Sequence, residues 1–151
     1  MITLEISDSY QDQVEADSLE RAAVQTLEHE GLSEGSSFSI VITDDAQLRL
    51  LNHQYLGIDA PTDVLSFPAD YTDPDTGAPY LGDIIISFPR SEAQASAAGH
   101  PLKDELQLLV VHGVLHLLGY DHIEEEDKAR MWAAQEEILE NLGVPGVNPP
   151  L

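Results

Sequence analysis

Apolar and polar residues alternate strictly over Ile2-Thr3-Leu4-Glu5-Ile6, the period-2 pattern of a strand with one buried face. From Val14 to Glu30 the spacing changes. Val14, Leu19, Ala22, Ala23 and Leu27 fall on one stripe of a helix that Gly31 is placed to end. Phe38-Ser39-Ile40-Val41-Ile42 reads as a second strand. Asp44-Asp45-Ala46-Gln47 has the form of a capping box and predicts a helix through Leu48, Leu50 and Leu51 to Tyr55, closing at Gly57. After the turn Ala60-Pro61-Thr62-Asp63, a third strand, Val64-Leu65-Ser66-Phe67, runs up to Pro68, which ends it. A polar loop from Asp70 to Pro79 leads to the fourth strand, Gly82-Asp83-Ile84-Ile85-Ile86-Ser87. Without a crossover helix between them, the third and fourth strands are expected to be antiparallel. The unbroken isoleucines predict burial on both faces of the fourth.

The second half of the chain is helical in pattern. Arg90 to Ala98 is alanine-rich and ends at Gly99. Leu102 to Leu118 is apolar nearly all round, the mark of a central helix. Ile123 to Leu142 forms a last helix, with Glu124, Glu125, Glu126 and Asp127 in its first turn, where they suit the positive end of the dipole and make a solvated face. Met131 and Trp132 read as core. Val144 to Leu151, with three prolines, reads as a ragged tail. No repeat or linker interrupts the 151 residues, so residues 1–151 are read as a single domain, long enough to bury about two-thirds of the extended surface.

Charge alters this picture more than composition does. The chain has 28 acidic residues against 6 basic, a formal net charge of -22. Such a surface repels polyanions and lacks the basic stripe of a nucleic-acid binder. Acidic chains also occur where internal salt is high, and at ~1 M salt a Debye length of ~3 Å screens most of the repulsion. Cysteine is absent, which excludes disulfides and thiol chemistry. The run Leu106 to Leu118 is broken by Gln107, His112 and His116 and is too short to span a bilayer. With no leader pattern ahead of the first strand, a soluble cytoplasmic protein is expected, with no membrane partner.

Candidate chemistry sits on the central helix. His112 and His116 are four residues apart, so on a helix they lie one above the other on one face, close enough to share a metal ion. Gly119 can take the left-handed conformation that ends a helix, and the turn beyond it can bring His122 back toward the pair. A lone histidine on such a face is more often core, but three of the chain's six within eleven positions point to metal. Three imidazoles and no thiol favour zinc with an open fourth position; nickel, copper or iron also accept such a set. In HExxH peptidases a glutamate follows the first histidine and serves as base. Here Gly113 stands there, so the pattern H-x-x-x-H-x-x-G-x-x-H resembles a metzincin site without its base. Asp121 can take that role, or can orient a ligand imidazole from behind.

The full stretch His112-Gly113-Val114-Leu115-His116-Leu117-Leu118-Gly119-Tyr120-Asp121-His122 resembles the signature H-G-x-L-H-L-x-G-Y-D-H of the YbeY family of bacterial endoribonucleases, zinc proteins of ribosomal RNA maturation. Leu51-Asn52 through Pro61-Thr62-Asp63-Val64-Leu65-Ser66-Phe67-Pro68 is similar to the family's second motif, and Gly82-Asp83-Ile84-Ile85-Ile86-Ser87 to its third. The resemblance implies a four-stranded sheet packed with helices. With the pairing read above, the expected class is α+β: a four-stranded mixed sheet, about five helices, and one central buried helix carrying the metal ligands. It further implies that His112, His116 and His122 hold one Zn2+ per chain. The implied role is a zinc-dependent, single-strand-specific endoribonuclease of small-subunit rRNA maturation and of ribosome assembly or quality control. Its partners would be single-stranded RNA, rRNA and the small subunit or its proteins. Family members usually carry Tyr-Arg-Gly shortly before Pro-Thr-Asp, whereas this chain has Tyr55-Leu56-Gly57. Leu56 thus replaces a phosphate-binding cation, or packs at the core end of its helix beside Leu50 and Leu51. Arg49, Arg90 and Lys103 are the cations near motif segments. Two other readings remain open: an assembly factor with a structural zinc and little nuclease activity, and a zinc hydrolase of another substrate.

Overall fold

Among the described residues, four strands form one sheet in the order β1-β2-β4-β3: β1 (Ile2–Ile6), β2 (Ser37–Thr43), β3 (Val64–Thr72) and β4 (Pro79–Ser87). The structure is a computed structural model and describes residues 2–32, 36–72, 74–75 and 77–144. β1, β2 and β4 run parallel, and β3 pairs antiparallel with β4, so the sheet is mixed as expected. Five α-helices accompany it: α1 (Ala16–His29), α2 (Asp45–Leu56), α3 (Phe88–Ala98), α4 (Leu102–Leu117) and α5 (Glu125–Asn141).

The side-chain period of two divides the core. Phe38, Ile40, Ile42, Ile84 and Ile86 point to one face and pack against α1, α4 and α5 in the main cluster. Leu65 and Ile85 point to the other face and meet Leu48 of α2, with Val41, Leu51 and Phe67 around them. Ile84, Ile85 and Ile86 are all buried, as their unbroken run predicts for a strand covered on both sides. α4 is the central helix: every residue from Glu105 to Leu115 is buried.

Local signals set the helix ends. Asp44 caps α2 by accepting the Gln47 N–H at 2.8 Å, and Gly57 closes the helix at φ 72. α4 ends in a Schellman motif: the Tyr120 N–H reaches the Leu115 carbonyl, and the Gly119 N–H that of His116, with Gly119 at φ 101. An N–H donor bonds the carbonyl in each case, and the turn this makes leads directly into His122.

The structure corrects the sequence expectations at several places. β3 does not end at Pro68 but continues to Thr72, with Pro68 opposite Gly82 and a bulge before Tyr71. β3 is an edge strand, where a residue without an N–H is tolerated. β4 correspondingly begins at Pro79. α3 starts at Phe88, capped by the Ser87 hydroxyl, and α5 starts at Glu125. A 3-10 segment, Asp8–Gln13, buries no residue and therefore leaves no hydrophobic pattern to read. Residues 145–151 of the expected tail, and residues 73 and 76 of the expected loop, lie outside the described residues.

Candidate metal centre

The C-terminal half of α4 places His112 and His116 one turn apart, and the Gly119 turn brings His122 to them. One ring nitrogen of each lies within 4.8 Å of the others. The Nε2 atoms of His112 and His116 are 3.1 Å apart. Two nitrogens bound to one tetrahedral ion at about 2.05 Å would stand ~3.3 Å apart. The donor set of three imidazoles and its spacing therefore fit a transition-metal ion.

What fixes the rings was not visible as a motif. The Oε1 atom of Gln135, buried on α5, is 3.1 Å from Nδ1 of His112. With Nδ1–H donating to that oxygen, Nε2 carries the lone pair into the cleft. Trp132 is half-buried and its ring lies 5.8 Å from that of His112 and 5.3 Å from that of His122. It is thus a wall of the site and not simply core. Trp132 and Gln135 follow the end of the signature by ten and thirteen residues, and only the packing of α5 on α4 brings them in.

Burial favours the neutral form of two of the three, His112 and His116. His112 is pushed down to about 3, first by burial and then by the nearby His116 and His122. His116 is lowered by burial and by His122, against smaller raising contributions from the Tyr120 backbone and Asp121. The folded pKa of His112 lies below its unfolded value, so the unfolded chain takes up the proton first and stability is lost as pH falls below about 6.5. Metal-free protein should therefore melt progressively lower as pH is reduced from about 6.5 toward 3, and His112→Gln should be less sensitive over that window. Thermal melts of both proteins across the pH series check this; equal slopes would show that His112 is not the buried neutral group.

The three histidines open onto a cleft of about 310 Å³ lined also by Leu56, Thr62, Asp63, Val64, Leu65, Ser66 and Pro68. These come from the α2 end, the Pro61-Thr62-Asp63 turn and edge strand β3. The Ser66 hydroxyl donates to the Gly113 carbonyl at 3.2 Å and ties β3 to α4 beside the histidines. Asp63 is buried, and burial raises its pKa, although its Oδ1 accepts the Val64 N–H at 2.8 Å. It is the acid on the cleft wall; the sequence places it in a turn and in the stretch similar to the family's second motif, without giving it a role. Asp121 stands close enough to His116 to raise its pKa; its carboxylate accepts the Ile123 N–H at 3.2 Å, and it also lines a neighbouring hollow with Asp127 and Arg130.

Among the described residues, no lysine or arginine lines this cleft. Arg49 is paired with Asp59, Arg90 with Asp45 and Lys103 with Glu15, which engages all three cations expected near the motifs. Arg130 pairs with Asp127, Arg21 donates to the Leu142 carbonyl, and Lys128 sits 6.0 Å over the Trp132 ring. Leu56 is 58% exposed at the cleft edge, so it does not pack in the core.

Comparison with known proteins accounts for nearly the whole chain. The profile of the family described as "Endoribonuclease YbeY" matches residues 3–143. A protein of that name from Roseiflexus castenholzii is 46% identical over 149 residues, covering 95% of this chain and 94% of the relative. Another from Chloroflexus aurantiacus is 49% identical over 141 residues, covering 87% and 91%. A Thermotoga maritima protein solved in solution superimposes with a TM-score of 0.62 at 26% identity, over 94% of this chain and 89% of that one.

Proposed function

The chain belongs to the YbeY family of endoribonucleases, and from that premise we propose that the three-histidine cleft is where it cuts RNA, with one zinc ion held by His112, His116 and His122. As a family member it is a hydrolase of RNA phosphodiester bonds. The observation that carries the placement is the convergence of three ring nitrogens, one of them oriented by Gln135, at the floor of an open cleft. When bound there, zinc supplies a Lewis acid that polarises a phosphoryl oxygen and acidifies water.

The chain's own residues do the rest. Gln135 holds the His112 tautomer, and the Trp132 ring lies beside His112 and His122 on their α5 side. Ser66, Thr62 and Asp63 set the opposite wall. Single-stranded RNA is the substrate form that the family resemblance implies. Small-subunit rRNA as the natural target, ribosomal partners and a cytoplasmic setting rest on the family resemblance. Among the described residues, no helix is long and apolar enough to cross a membrane. The cation-free cleft favours a second reading, an assembly factor whose metal is structural. Elemental analysis of the purified protein, with cleavage of single-stranded RNA by metal-loaded wild type and a His116→Ala control, tests the first reading against the second.

Leu56 offers an independent check. Because it is exposed at the cleft edge, an arginine there should fit without disturbing the core. Leu56→Arg should tighten RNA binding and steepen the plot of log K against log salt by about 0.7, the contribution of one phosphate contact to a single strand. Binding titrations over a salt series read the slope; an unchanged slope in a folded variant would place the RNA backbone away from residue 56.

A further inference from the structure

α2 covers only part of the second face of the sheet, and what lies beyond its C-terminal end is aromatic. Leu48 and Leu51 seal the face over Leu65, Ile85 and Val41. Past them, Tyr55 is 61% exposed and meets Phe67 edge-on, with centroids 5.2 Å apart. Toward the β3-β4 turn, Tyr71 is 57% exposed and stacks on Tyr80 at 5.1 Å and 21°. Tyr80 is held in place because its hydroxyl donates to Asp83 and accepts from Ser39, both on this face. Each exposed tyrosine is thus braced by a less exposed ring. The patch and the cleft share elements: Leu56 and Pro68, which line the cleft, follow Tyr55 at the end of α2 and Phe67 on β3.

A polymer cut at the histidines must extend beyond the cleft, over the surface of a chain whose net charge is -22 and whose lysines and arginines each already have a partner. Phosphates gain little from such a surface. Bases gain from exposed rings, because stacking is insensitive to sequence and needs no cation. We propose that this open sheet face is a base-stacking platform for the single-stranded RNA flanking the scissile phosphate, with Tyr55 and Tyr71 as the contact rings. The platform rests on the reading that cleavage occurs at the three-histidine cleft. It divides the work: the cleft performs the chemistry, and the tyrosines hold the strand with its phosphates turned to solvent.

The test is steady-state cleavage of a single-stranded oligoribonucleotide by the zinc-loaded full chain, with Tyr55→Ala, Tyr71→Ala and the two Tyr→Phe variants. Both tyrosines are exposed, so the variants should keep the wild-type melting temperature. Each Ala variant should raise KM about fivefold to tenfold and leave kcat within about twofold, and each Phe variant should restore KM. Replacing flanking nucleotides by abasic sites should abolish the difference between wild type and the Ala variants. The platform is overturned if the Ala variants keep the wild-type KM, or if the Phe variants are as weak as Ala. It is also overturned if sedimentation shows that these rings instead hold two copies of the chain together. Cleavage that depends on His116 with KM indifferent to both tyrosines would remove the platform and leave the cleavage site standing. A wild type that neither binds nor cuts RNA would remove both.

Discussion

His116→Ala is expected to abolish RNA cleavage and to lower metal affinity by more than the ~10–100-fold that loss of a mere supporting partner costs. His116 is half-buried at the end of α4, and its side chain faces the cleft, so truncation enlarges an opening already present and leaves the core intact. α4 is held by Leu106, Leu108, Leu109, Val110, Val111, Val114 and Leu115, all buried in the main cluster. The cost in stability of the metal-free protein should therefore stay near ~1 kcal/mol. Circular dichroism, elemental analysis and cleavage assays together decide the outcome. Native helicity with no metal and no cleavage supports a reaction centre. A variant that unfolds would identify the metal as a structural staple and favour the assembly-factor reading.

Gly113→Glu should unfold or severely destabilise the protein and should not create a peptidase. A Cβ placed on Gly113 would stand 2.8 Å from Cγ2 of Ile84, because α4 presses directly on β4 at this residue. The position that holds the general base in HExxH enzymes points here into the sheet. Overpacking and an unpaired buried carboxylate together should cost at least ~3 kcal/mol, or about 10 °C in melting temperature for a chain of this size. Gly113→Ala should lie between the two proteins, since a methyl group asks Ile84 to move without burying a charge. A Glu variant that melts like wild type would mean that α4 can lift away from β4. The glycine is thus required by packing, and the absence of a glutamate base follows from how the central helix meets the sheet.

The sequence was most informative where local chemistry decides structure. Asp44 with Gln47, Gly57 and Gly119 each act within a few residues, and the helix ends they imply were legible without tertiary information. The metal-binding set was legible because two of its members lie one helical turn apart and the third follows a glycine stop. Residues whose role depends on elements meeting in space were not. Gln135 reads as one polar residue on a charged helix, Asp63 as a turn residue within a family-like motif but without a role, and Trp132 as core, until α5 and β3 are set beside α4. Pro68 misled because the punctuation rule holds for central strands, and only the strand order shows that β3 lies at the edge.

That edge position bears on self-association. A sheet border offers unpaired backbone groups to any other chain able to add a strand, and this one runs along the rim of the cleft. Pro68 removes a donor from the middle of the border, and the bulge before Tyr71 breaks its register, so an incoming strand finds no regular ladder to extend. The same two irregularities that lengthen β3 beyond its expected end therefore protect the cleft wall from aggregation and from domain-swapped pairing, leaving that side of the molecule open to a nucleic-acid strand.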